Sequence, residues 1–206
     1  MNYIQFRKYL KEFTVFSLKD IQKIEPHFYK ARLHEWQKKG YIQKIIKGYY
    51  LFSDMELNEY CLFEIANRIY PPSYISLEMA LSYYGLIPES VYGITSISTR
   101  KTSTFKTPIG YFSYRTLNPG LFFGYELKEY QPKKYFKIAS PEKSLLDYFY
   151  MNSHLKDIAG YESLRVNKDM FFKRVKQKKL TAHLKKFKQK TLKKRIHAFW
   201  EFMKNA

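Results

Sequence analysis

Apolar residues recur at helical spacing from the start of the chain: Phe6, Leu10 and Phe13 fall at i, i+4 and i+7, the inward stripe of a short helix. A second helix is marked at its beginning, where Ser17 stands three positions before Asp20 and Ile21 and Ile24 follow. That is the pattern of an N-cap whose oxygen satisfies free backbone donors. Glu25-Pro26 interrupts it, because the residue before a proline is pushed out of the helical region, and Pro26 suits the first turn of a further helix. From His27 to Lys39, Tyr29, Leu33 and Trp36 repeat at i, i+4 and i+7 and are predicted to face inward. The opposite side carries His27, Lys30, Ala31, His34 and Lys38, with Arg32 and Lys39 flanking it. Gly40 supplies a left-handed stop, and Tyr41 to Ile46 and Tyr49 to Phe52 flank Lys47-Gly48 as the strands of a hairpin.

Residues 54–70 read as an amphipathic helix through Leu57, Tyr60, Cys61, Ile65 and Ile69, ended by Pro71-Pro72. Ser73 to Ile75 is a brief extended piece, and Ser76 caps a helix through Leu77, Ala80, Leu81 and Tyr84 that Gly85 stops. Residues 92–99, 110–117, 121–127 and 135–139 are rich in aromatic and β-branched side chains and separated by turn dipeptides. They are predicted as strands of one antiparallel or mixed sheet. Ser140-Pro141 opens a helix containing Leu145, Leu146, Tyr148 and Phe149, with Glu142 complementing the helix dipole on its first turn and Lys143 facing solvent. Helical periodicity returns from Glu162 in a lysine-dense stretch whose apolar positions run from Met170 to Phe202. Two helices broken near Lys179 to Thr181 are expected there, with lysines outward. The fold class is thus α+β: a winged helix-turn-helix over residues 1–53, a mixed α/β domain with a small sheet over 54–161, and a basic helical extension over 162–206.

Charge sharpens this picture through its distribution. The formal charge of +19 divides into +7 over residues 1–52 (11 Lys/Arg, 4 Asp/Glu), −1 over 53–164 (11 and 12) and +13 over 165–206 (15 and 2). Both ends suit a polyanion and the middle does not. Cys61 is the single cysteine, which excludes a disulfide framework and favours a reducing cytoplasmic setting. No apolar run approaches the roughly 20 residues that span a bilayer, so a soluble protein without a membrane partner is expected.

The residues that bear on chemistry are mostly cationic. His27, Lys30, Ala31, Arg32, His34 and Lys38 form the face that a major groove of double-stranded DNA would meet, Ala31 allowing close backbone approach, and Lys44 and Lys47 on the hairpin would touch phosphate. Lys173, Arg174, Lys178, Lys185, Lys186, Lys193 and Lys194 are candidates for non-specific phosphate contact. A single lysine is more often a solvated surface residue; the reading rests on the combination of capped helix, turn, basic helix, glycine stop and lysine-tipped hairpin. The five histidines never fall in a ligand spacing, and no Walker loop or GxGxxG is present, so neither a metal nor a cofactor is expected. Two other readings compete: a nuclease built from Glu142, Lys143 and Asp147, and an RNA-binding factor that uses the basic end and its aromatic rings.

The run ARLHEWQKKGYIQKIIKGYYLF resembles the winged helix-turn-helix of AbiEi-type antitoxins, transcriptional regulators of abortive-infection (type IV toxin-antitoxin) systems. Tyr74-Ile75-Ser76 through Ala80-Leu81 to Tyr84-Gly85-Leu86, and Ile138-Ala139-Ser140-Pro141-Glu142-Lys143-Ser144-Leu145-Leu146-Asp147, look like the two most recognisable stretches of that family's second domain. The resemblance covers about residues 15–150 and leaves the lysine-rich end outside it. It implies a phage-defence role: repression of the operon's own promoter by the winged domain, and counteraction by the second domain of a nucleotidyltransferase-like toxin without a stable complex. It assigns DNA contact to Lys30, Arg32, His34, Lys38, Lys44 and Lys47, and it offers no catalytic residue.

Overall fold

The computed structural model describes residues 1–88 and 92–205 and shows a mixed α+β chain with two sheets. Its first unit runs α1 (Tyr3–Leu10), β1 (Phe16–Ser17), α2 (Leu18–Ile24), α3 (Ala31–Lys38), β2 (Ile42–Ile46) and β3 (Tyr49–Phe52). The start of α2 is a capping box: the Asp20 backbone N–H donates to Ser17 Oγ at 3.4 Å, and the Ser17 N–H donates to the Asp20 carboxylate at 2.8 Å. The three strands pair antiparallel in the order β1-β3-β2. Phe6, Leu10, Phe16, Ile21, Phe28, Leu33, Trp36, Ile42 and Phe52 close one core beneath the helices.

The third helix departs from its predicted extent. It begins at Ala31 rather than His27, and Tyr29, expected inside, is 70% exposed, whereas Phe28 is 5% exposed. Pro26 and His27 are taken up in a turn and residues 28 and 29 are not helical, so the 3.6-residue period stops at Leu33 and the chain buries whichever ring the turn delivers.

The second unit is a six-stranded mixed sheet in the order β6-β7-β5-β4-β9-β8, with β4 (Ser73–Ile75), β5 (Ile94–Ser98), β6 (Ser103–Thr107), β7 (Gly110–Thr116), β8 (Tyr125–Gln131) and β9 (Lys134–Ala139). The pairs β4/β9 and β5/β7 are parallel and the other three antiparallel. Of the predicted strands, 121–127 starts only at Tyr125, because Pro119–Leu121 forms a 3-10 turn. β6 was not foreseen: it is an edge strand of alternating half-buried and exposed residues joined to β7 by a tight turn at Pro108-Ile109.

Alternation along β4 assigns the layers. Ser73 Oγ donates to the Ala66 carbonyl of α4 (Glu59–Ile69), while Tyr74 between Ser73 and Ile75 points the other way, to Asp147 of α6 (Pro141–Met151). So α4 covers one face of the sheet and α6 the other. The amino-terminal unit docks on the α4 side. Glu64 Oε2 accepts from Thr14 Oγ1 at 2.7 Å and from Tyr130 OH at 2.6 Å, and Arg68 bridges Asp20 at 3.2 Å. Val15, Ile45 and Leu51 extend the main core across that junction.

Among the described residues four helices follow α6: α7 (Ile158–Ser163), α8 (Lys168–Arg174), α9 (Gln177–Lys185) and α10 (Lys190–Asn205). The expected break at Lys179 to Thr181 is absent, since α9 runs through it; the breaks lie at Val175-Lys176 and between Lys186 and Gln189. Phe171, Val175, Leu180, Leu184, Phe187, Ile196 and Phe199 belong to the same core as Leu145, Leu146 and Phe149, so the lysine-dense segment is packed against α6. Among the described residues, no helix is long and apolar enough to cross a membrane.

Candidate nucleic-acid interface

Leu33 and Trp36, each 5% exposed, anchor α3 from below, with the Trp36 ring 4.5 Å from that of Phe6. This fixes the rotation of the helix and turns Ala31, His34, Glu35 and Lys38 to solvent; Lys30, its exposed N-cap residue, lies at the same end. His27 is exposed but sits in the turn ahead of the helix, one step removed from the face it was expected to share. Arg32 is half-buried, and its guanidinium donates to the Met1 carbonyl, so it braces the amino terminus instead of lying free for phosphate. Eight residues at 1.5 Å rise make a rod of about 12 Å, comparable with the width of a major groove.

Gly40, at φ +70°, ends α3 in the left-handed conformation that the sequence predicted. Lys44 is exposed on β2, and Lys47 is exposed at the tip of the hairpin, where Gly48 at φ +85° allows the reversal. None of Lys30, Lys38, Lys44 and Lys47 makes an ion pair with a described residue, so their ammonium charge is available to an outside anion, and His34 is exposed among them. Two residues of this surface escaped the sequence reading. Tyr29 is displaced outward by the turn, and Glu35 lies on the exposed arc between His34 and Lys38. A carboxylate there repels phosphate and is an acceptor of the type that pairs with an amino group.

No protein-family model matches the chain, and no curated protein sequence does.

The second cationic set is carried by the helices that follow α6; Arg174 reaches a cleft at the β8 edge of the sheet that Glu59 and Tyr60 of α4 and Lys128 also line. Lys173 and Arg174 are exposed on α8, Lys178 and Lys185 on α9, Lys186 just after it, and Lys194 on α10, while Lys193 is half-buried. Twelve Lys/Arg and no Asp/Glu stand between Lys173 and Arg195. Some of this charge is structural. Lys179 Nζ lies 3.3 Å from both Glu126 and Glu142, and although burial works against its ammonium, those carboxylates hold its pKa above the ordinary lysine value. Arg195 donates to the carbonyls of Asn152 and Leu155.

Lys143 overturns its expected solvent-facing position: Glu142, Lys143 and Asp147 are 1%, 0% and 0% exposed. Lys143 Nζ pairs with Asp147 and donates to Tyr74 OH at 2.9 Å, while Tyr74 OH and Ser76 Oγ each donate to Asp147 at 2.9 Å. The rings of Tyr74, Phe123 and Phe187 lie 5.2 to 5.5 Å from the ammonium. Burial lowers the Lys143 pKa and raises that of Asp147, each opposed by the attraction of the other. Ser76 therefore spends its hydroxyl on Asp147 rather than capping α5 (Leu77–Tyr83); Thr95 of β5 takes the Met79 N–H instead. Glu142 accepts the Lys176 N–H at 2.9 Å and so serves the start of α9 as well as its own helix. A phosphodiester cannot reach this trio without opening the core, which removes the cluster that a nuclease reading needs. No local signal marked this burial: Lys143 and Asp147 stand at i and i+4 on α6, a spacing that a solvated ion pair would satisfy equally well.

Proposed function

We propose that the protein is a double-stranded-DNA-binding antitoxin and autorepressor of a toxin-antitoxin operon, of the AbiEi type, acting in the cytoplasm in phage defence. On this reading residues 1–53 are a winged helix-turn-helix, with α3 in the major groove and the β2–β3 hairpin as the wing. The observation that carries it is the exposed, unpaired row Lys30, His34 and Lys38 on a helix held from below by Leu33 and Trp36, beside a lysine-tipped hairpin. The order α1-β1-α2-α3-β2-β3 with strand order β1-β3-β2 also supports it. The toxin is proposed, from the resemblance in the second unit, as a nucleotidyltransferase-like enzyme counteracted without a stable complex.

Gel shifts on the DNA upstream of the gene, against random duplex, test the mechanism. Alanine at Lys38 or His34 should weaken operator binding by about 1–3 kcal/mol and relax preference at one base pair. Alanine at Lys44 or Lys47 should weaken all duplexes alike and reduce the salt slope by about 0.9 for each lost contact. Equal affinity for operator and random duplex, indifferent to the α3 substitutions, rejects the reading.

A further inference from the structure

A cleft of about 350 Å³ opens on the α6 side of the sheet, between the 3-10 turn at Pro119–Leu121 and the linker from α9 to α10. Leu121 and the half-buried Tyr150 give it an apolar and aromatic wall, and the Tyr150 ring is backed by Phe187 at 5.6 Å. Asn118, whose Oδ1 accepts the Gly120 N–H at 2.9 Å, Gln189 and the exposed Lys186 and Lys188 also line it, and among the described residues no carboxylate does. Lys186 Nζ is held 4.1 Å from the centroid of the Phe123 ring, so one of the two charges is oriented by cation–π attraction. Its size is near the lower end of the roughly 300–1,000 Å³ typical of small-molecule clefts.

An aromatic wall, two amides and two ammonium groups in a space of this size match one nucleotide, with its base on Tyr150, its base edge at Asn118 and Gln189, and its phosphate at Lys186 and Lys188. A base inside a duplex is stacked and paired, and cannot enter. We infer that this cleft binds an unpaired nucleotide of a single-stranded nucleic acid, at a site separate from α3. The surrounding lysines of α9 and α10 then track the adjoining phosphates, and the six-stranded sheet and α4 stand between this site and the amino-terminal unit.

Fluorescence anisotropy of the full chain with labelled oligo(dT), oligo(rU) and a blunt duplex of equal length tests the assignment and separates DNA from RNA strands. Tyr150→Leu should weaken single-strand binding about tenfold while leaving duplex binding unchanged. The double variant Lys186→Gln/Lys188→Gln, confined to exposed residues, should weaken it further and lower the single-strand salt slope by about 0.7 per lost contact. Lys30→Ala and Lys38→Ala should leave single-strand affinity as it was, so failure here and failure of duplex recognition are read separately. Equal loss for strand and duplex in the double lysine variant, or a folded Tyr150→Leu protein of unchanged strand affinity, overturns the assignment.

Discussion

Asp147 shows at the scale of one residue how a buried charge is tolerated. Its carboxylate has three donors, from Lys143, Tyr74 and Ser76, and removing the charge alone would leave an ammonium uncompensated among three rings. Asp147→Asn is therefore expected to destabilise the fold by about 3–5 kcal/mol in urea denaturation. The joint change Lys143→Met/Asp147→Leu is expected to recover only part of that loss, because it removes both buried charges but leaves the Tyr74 and Ser76 hydroxyls without the acceptor they share. A single variant as mild as a surface substitution would mean that the pair is wetted. His183 is the other titratable group of note here: burial, followed by the nearby Lys179, lowers its pKa, and its Nδ1 has no hydrogen-bond partner among the described residues. Neither feature is legible from residue type. Periodicity puts Lys143 on α6, and only the closure of Phe123 and Phe187 around it decides that it is dry.

Among the elements, α3 and the β2–β3 hairpin matched their local signals best where those signals are steric. Gly40 was predicted as a left-handed stop and has φ +70°, with open space where a Cβ would stand. Gly40→Ala should thus lose about 1–2 kcal/mol through backbone strain alone, measured by urea denaturation, and an unchanged midpoint would show that α3 ends without that conformation. The start of the same helix was misplaced by four residues because two aromatic residues, Phe28 and Tyr29, stand side by side after Pro26. Either fits an inward position, and the turn chose between them. Strand β6 was missed for a related reason: an edge strand buries little, so its Thr-rich alternation carries a weak hydrophobic signal.

The molecule as a whole is organised by the six-stranded sheet, with α4 and the amino-terminal unit on one side and α6 with the helices packed against it on the other. Phe199 packs 5.0 Å from Phe149 and 5.4 Å from Tyr161, so the lysine-rich helices complete the core on their side. Deletion of residues 165–206 should therefore abolish the cooperative unfolding transition and near-ultraviolet dichroism. A truncated chain that melts cooperatively would show instead that these helices are an appendage. The charge of that segment is tested by point substitution, since truncation would remove its scaffold too. The sequence by itself determined the α+β class, the Ser17 capping box and the Gly40 stop, and the split of positive charge between the two ends, because these depend on local sterics and on counting. Which aromatic ring is buried, that Lys143 is enclosed, that Arg32 holds the chain terminus, and that the lysine-rich helices pack against α6 were decided only by tertiary packing. Each of those outcomes depends on what a distant segment brings into contact, and no local period encodes that.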